Sequence, residues 1–167
     1  LQDGEAIQLT RNPRWVGRHV YGPRHGVAIL INAFNFPAWG FAEKAATALL
    51  AGMPIVNKPA TSTALVAHRI AEILVDSNVI PEGGFTSIAG SAGDMLNHVK
   101  WQDVIAFTGS SDTGLMIRSN KAVLENNVRV NVEADSLNSA IVGSDLDSDS
   151  DTYDLFLREA VRDMTQK

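Results

Sequence analysis

Short apolar runs recur along this chain, and longer amphipathic stretches separate them. The runs are "VAILIN" (27–32), "PIVNK" (54–58), "FTSIAG" (85–90), "VIAFTG" (104–109), "VRVNVE" (128–133) and "SAIVG" (139–143). Several are continuously apolar rather than alternating, the pattern of strands whose two faces are both covered by helices. Strands alternating with helix-length segments define βαβ units. The expected fold is therefore α/β: a three-layer, Rossmann-like open parallel sheet with helices on both faces.

The intervening segments supply the helices. Residues 38–51 are rich in Ala and Leu and stop at Gly52, a natural residue to follow a helix end. From Thr63 to Ser77, the residues Val66, Ile70, Ile73 and Leu74 are expected on one face, behind N-cap candidates Thr61 and Ser62. Two further helices are expected over 111–124 and 152–165, and "SDLDSDSD" (144–151) reads as a solvated turn placing acid before the last of them. Residues 1–25 carry Gly4, Pro13, Gly17, Gly22 and Pro23 and read as a hairpin or arm, leaving 26–167 as the domain proper.

Composition narrows the function classes. At 167 residues the chain is the size of one domain, able to bury roughly two-thirds of its unfolded surface. No apolar run is long enough to span a membrane, and the first residues lack the basic-then-apolar layout of a signal peptide. Fourteen basic against 19 acidic residues give a net charge of −5 with no basic block, which argues against a nucleic-acid partner. There is no cysteine, which excludes disulfides and thiolate metal sites and is compatible with a cytoplasmic location. The four histidines have no metal-ligand spacing, so no metal is expected.

In open α/β sheets, ligands bind where the carboxyl ends of the strands meet. Here those ends read "INAFNFP", "NKPATST", "AGSAG", "FTGSSDTG" and "NVEADS", each with small, polar or ionisable groups. GxGxxG is absent, and "GSSDTG" (109–114) lacks the Lys and Ser/Thr of a phosphate-binding ATPase loop, since Leu115 and Met116 follow it. What remains is a strand, Gly109, then serines opening a helix, which suits either a phosphate or a plain Ser N-cap. Taken singly, the other groups also have two readings, and for Lys58 and Glu133 the first, structural one is favoured. Lys58 either snorkels from the sheet or reaches a ligand. Glu133 is a surface carboxylate or a general base, and Asn35 holds a turn or aims an amide at an oxyanion.

Together and in this order, the motifs resemble those of the aldehyde dehydrogenase superfamily. "FNFP" matches its W/F-N-F-P motif, "NKPA" its K-P-(S/A) motif and "FTGSSDTG" its F-T-G-S-x-x-x-G motif, while "VEADSLNSA" stands where most members have E-L-G-G-K-(S/N). The resemblance runs from about residue 26 to the end. "INAFNFPAWG" with "VEADSLNS" is similar to a branch that oxidises CoA-linked semialdehydes of aerobic aromatic catabolism. The phenylacetate-type member, which carries a second, hydratase-like domain, is the nearest match, and the benzoyl-CoA-type member is the alternative.

The resemblance implies roles residue by residue. Asn35 would be the oxyanion-hole amide and Glu133 the general base that activates the deacylating water. Lys58 would bind the adenosine ribose or its 2′-phosphate and Ser110 the pyrophosphate. Ala33 and Phe34 would line the cofactor cleft, with Gly90 and Thr113 toward the adenine and phosphate side. Ala60, Phe107, Thr108, Gly109 and Ala134 complete the cofactor-binding set from the same motifs. Thr61 stands where many NAD-preferring members place a glutamate that repels a 2′-phosphate, so NADP is the expected cofactor, with NAD as the alternative. A CoA-linked aldehyde substrate, a homo-oligomeric parent and a cytoplasmic location also follow from the resemblance.

One departure is decisive for chemistry. The family's reaction needs a cysteine thiolate, found in a G-Q-x-C motif a few positions after the last helix of the nucleotide domain. Here the sequence ends at "MTQK" without one. The expectation is a nucleotide-binding domain truncated before its catalytic-cysteine domain, binding cofactor but not turning over alone. The competing readings are a cysteine-less nucleotide-binding or scaffold module and an acyl-phosphate reductase; the latter would not need Glu133 to deacylate with water.

Overall fold

The computed structural model describes residues 3–135 and 139–165. The strands are β1 (Ala6–Gln8), β2 (Val16–Arg18), β3 (Ala28–Ile31), β4 (Ile55–Lys58), β5 (Phe85–Ser87), β6 (Val104–Gly109) and β7 (Arg129–Ala134). The helices are α1 (Trp39–Leu50), α2 (Ala64–Ser77), α3 (Ser111–Arg118), α4 (Lys121–Glu125) and α5 (Asp151–Thr165). β1 and β2 form an antiparallel hairpin, while β3 to β7 form a five-stranded parallel sheet in the order β5-β4-β3-β6-β7. The chain works outward from β3 in one direction, then returns to β6 and works outward in the other. That reversal opens a crevice between β3 and β6 at their carboxyl ends, the place where such sheets take ligands.

Alternation along β3 builds two cores. Ala28 and Leu30 pack on one face with Phe41, Ala45 and Ala48 of α1, together with Ile55 and the half-buried Ile70 and Leu74 of α2. Ile29 points to the other face, among Ile105, Phe107, Ile117 of α3 and Val123 of α4. Both faces of the central strands are thus covered, which is why their sequences read as unbroken apolar runs. β7 differs. Its Arg129, Asn131 and Glu133 are exposed, whereas Val130 and Val132 pack against the α3 side. The α1 face of β7 therefore lies open, and Glu133 stands on it.

Several local expectations are corrected. Residues 139–143 form no strand: Ile141 is 85% exposed, with no apolar surface to cover it. The helix expected over 111–124 is two helices, because Asn120 caps a new one by accepting from the N–H groups of Ala122 and Val123. Thr61 and Ser62 do not cap α2; they lie in a 3-10 turn (Thr61–Thr63) that precedes it. The buried side of α2 is made by Ala67, Ile70, Ala71 and Leu74, while Val66 and Ile73 point outward. At the end of α1, Gly52 adopts φ +77°, and a Cβ there would lie 2.6 Å from Pro23 Cβ. α5 is capped by Ser150 Oγ, which accepts from Tyr153 N–H at 3.2 Å, and opens with Asp151 and Asp154. No helix among the described residues is long and apolar enough to cross a membrane.

Candidate active site

β3 stays apolar as far as Ile31 because both its faces are buried, and Asn32 then begins the turn toward α1. Asn32 N–H still pairs with Lys58 O at 3.1 Å, so the strand end is fixed against β4. Its side chain, 6% exposed, donates from Nδ2 to Asn57 Oδ1 at 2.8 Å. Asn57, 2% exposed, donates in turn to Ser87 Oγ at 3.4 Å. A polar row thus crosses the carboxyl ends of β3, β4 and β5, buried at Asn32 and Asn57 and exposed at Ser87. Asn32 Oδ1 is buried without a hydrogen-bond partner, and a Cβ on Gly40 of α1 would lie 3.8 Å from it. Beyond it, "FNFP" leaves Phe34 and Phe36 about two-thirds exposed, at 67% and 60%.

On the β6 side, Phe107 is buried core, and its ring lies so close to Gly109 that a Cβ there would sit 2.5 Å from Phe107 Cζ. Ser110 caps α3, accepting from Thr113 N–H at 3.3 Å and donating to Thr113 Oγ1 at 3.0 Å. The plain N-cap reading of Ser110 is therefore realised. Gly114 lets α3 pack tightly on β7, since a Cβ there would lie 2.7 Å from Val132 Cγ1.

These segments enclose a cleft of about 1000 Å³. Ala33, Phe34, Asn35, Ala60, Phe107, Thr108, Gly109, Ser110 and Thr113 line it, all from the residues named by sequence. Asn32, Phe36 and Asp135 line it as well, and sequence reasoning assigned none of them a site role. The signal for Asn32 was available: a polar residue ends an apolar strand three places before Asn35. Asp135 follows Glu133 by two and carried no comparable mark.

Five named residues do not line this cleft. Lys58 is half-buried with its Nζ donating to Pro59 O at 2.7 Å, so its ammonium is turned back on the chain. Thr61 is exposed in the 3-10 turn just beyond Ala60. Gly90 adopts φ +92° in open space after β5. Ala134 ends β7 in register with Gly109. Glu133 lines a second groove of about 490 Å³ on the α1 face, together with Asn131, Glu43 and Lys44, whose side chain is 8% exposed. Thr108 joins the two: it lines the first cleft and its Oγ1 donates to Glu133 Oε2 at 3.3 Å. In the "VEADSLNSA" segment, residues 136–138 lie outside the described residues.

The crevice suits a dinucleotide. It lies where the sheet order reverses, is large enough for a cofactor-sized ligand and offers apolar rings for stacking. Among the described residues no group of three or more His, Asp or Glu is placed to hold a metal. The fold is an α/β domain with an open parallel sheet and a cleft at the point where the strand order reverses. The aldehyde dehydrogenase family profile matches residues 2–163, and the chain belongs to that family.

Individual relatives agree. The chain is 46% identical over 167 residues to 3,4-dehydroadipyl-CoA semialdehyde dehydrogenase of Aromatoleum evansii, covering 100% of this chain and 32% of that protein. It is 34% identical over 117 residues to D-glyceraldehyde dehydrogenase (NADP+) of Picrophilus torridus, covering 68% of this chain and 23% of that one. Among solved structures, a betaine aldehyde dehydrogenase double mutant from Staphylococcus aureus in complex with NAD+ superposes with a TM-score of 0.76 at 28% identity. That match covers 97% of this chain and 31% of the other. The chain thus spans a third or less of the length of these relatives.

Proposed function

We propose that this chain is the cofactor-binding part of an NAD(P)-dependent aldehyde dehydrogenase that oxidises a CoA-linked semialdehyde to a carboxylic acid. The observation that carries it is the link between the two clefts. Thr108, in the wall of the dinucleotide crevice, holds the Glu133 carboxylate by a hydrogen bond, so a base stands beside the cofactor site. The bound dinucleotide would supply the hydride acceptor.

The chain's own residues divide the remaining work. Asn35, on the turn after β3, donates its amide to the oxyanion that forms when the aldehyde carbon is attacked. Phe34 walls the cleft and keeps water from the reacting carbon. Glu133 takes a proton from the water that releases the acyl group. Ser110 and the leading N–H groups of α3 face the pyrophosphate. Lys58 leaves Pro59 O to reach the adenosine ribose or its 2′-phosphate, and Ala33, Ala60, Phe107, Gly109, Thr113, Gly90 and Ala134 shape the binding surface. The thiolate nucleophile is not in this chain, which has no cysteine; it is contributed by the rest of the protein, and the chain alone binds cofactor without turnover.

NADP is preferred over NAD because Thr61 sets no carboxylate against a 2′-phosphate. The name of the 46% relative, a CoA-semialdehyde dehydrogenase, supports the substrate class; a role in aerobic aromatic catabolism, a cytoplasmic location and a homo-oligomeric state are part of the same proposal, carried by the resemblance of the motifs. The test is aldehyde-dependent reduction of NADP, followed by the absorbance of the reduced nicotinamide. The protein carrying this chain should reduce NADP with a CoA-thioester semialdehyde and far more slowly with the free semialdehyde. Equal rates with both would refute the substrate class. The alternative reading, a binding module without catalysis, predicts dinucleotide binding with no reduction by the full-length protein.

A further inference from the structure

Asp135 stands directly after β7 with its backbone at φ 56°, in the left-handed region that most side chains avoid and aspartate tolerates. Its N–H donates to Gly109 O at 3.1 Å. Its Oδ1 accepts from Ser111 N–H at 3.2 Å, and Ser111 is the first residue of α3. Two residues on, Thr113 N–H is held by Ser110 Oγ at 3.3 Å. The chain's own side chains therefore already occupy two of the leading N–H groups of α3, and one of those side chains is a carboxylate in the cleft wall.

The leading N–H groups of a helix carry partial positive charge and attract anions. On the function proposed above, the anion that comes here is the dinucleotide's pyrophosphate. Asp135 has the same sign and is tied to one of the same donors. A phosphate oxygen and the Asp135 carboxylate cannot both take the Ser111 N–H at full strength, and at such range their charges repel. We propose that Asp135 limits dinucleotide affinity. Its carboxylate holds the α3 N-terminus while the cleft is empty and turns aside to admit the pyrophosphate. Displacing it weakens binding and hastens release of the dinucleotide after each turnover. This inference rests on the dinucleotide reading of the cleft.

Titration calorimetry with NADP on the protein carrying this chain tests it. In Asp135→Asn an amide oxygen can still accept from Ser111, so the cap survives and only the charge goes. The dissociation constant should fall about two- to tenfold, the scale of a charge at a helix end. Asp135→Gly, which adopts the left-handed backbone without strain, should give a gain of the same order. Inorganic pyrophosphate should compete more strongly against both variants. Asp112 is also acidic and lies in the first turn of α3 but does not line the cleft, so Asp112→Asn should leave affinity within about twofold. Unchanged or weaker NADP binding in Asp135→Asn overturns the inference, as does an equal gain at Asp112. If neither wild type nor variants bind NAD or NADP, the dinucleotide reading falls as well. Binding by wild type with no gain in the variants removes this inference alone.

Discussion

Thr108 Oγ1 donates to Glu133 Oε2 at 3.3 Å, across the β6–β7 pairing in which the two residues are register partners. The parallel register is what allows this: both residues are the fifth of their strands, so both reach the carboxyl edge together. One end of the bond lies in the crevice at the carboxyl ends of β3 and β6 and the other on the open α1 face. A carboxylate held in this way is aimed by the sheet itself.

Glu133→Gln should lower kcat by about 10²- to 10⁴-fold, the usual contribution of a general base, with NADP affinity unchanged. Thr108→Val removes the hydrogen bond to the carboxylate and should cost about tenfold in kcat, in line with hydrogen bonds to charged groups. Steady-state rates and dinucleotide titrations on the protein carrying this chain separate the two effects. A loss confined to NADP binding in either variant would contradict the assignment.

Asn35→Ala should lower kcat by about 10²- to 10³-fold, as expected when one oxyanion donor is removed. The dinucleotide dissociation constant should hold. Asn35→Asp, which replaces the amide by a like-charged acceptor, should be worse still.

Thr61→Glu places a carboxylate just beyond Ala60, which lines the cleft. NADP binding should weaken about tenfold or more while NAD binding stays within about threefold. Parallel titrations with both dinucleotides give the answer, and an unchanged NADP-to-NAD ratio would remove Thr61 from the specificity account.

Asn57→Ala strands the Asn32 Nδ2 donor, whose companion oxygen already has no partner. The cost should be about 1–3 kcal/mol in urea unfolding, the penalty for orphaning a buried polar group. Changing both asparagines to leucine removes donor and acceptor together and should cost less than Asn57→Ala. Its effect should appear instead in kcat, because the turn bearing Asn35 loses its side-chain tie to β4 and keeps only the Asn32 N–H bond to Lys58 O.

Much of this was legible from residue order alone. The central strands announced themselves because burial on both faces demands continuous apolar runs, and the site motifs were read correctly as strand ends because a parallel sheet brings those ends together. What misled was local. "SAIVG" has strand composition but pairs with neither edge strand of the sheet and stays exposed, and composition carries no record of partners. "SSDTGLMIRSNKAVLE" has one helical period on either side of a break that Asn120 makes with its own side chain. The orientation of Lys58 toward Pro59 O and the capping of α3 by Asp135 depend on side-chain geometry set by distant elements, which spacing does not encode.

The account stands on the dinucleotide lying across the carboxyl ends of β3 and β6. Amide hydrogen exchange with and without NADP tests this most directly. Added NADP should slow exchange over residues 32–36 and 108–113 and at the end of β7, with the hairpin of β1 and β2 and the helix α5 unchanged. Protection elsewhere, with those segments exchanging as before, would contradict it.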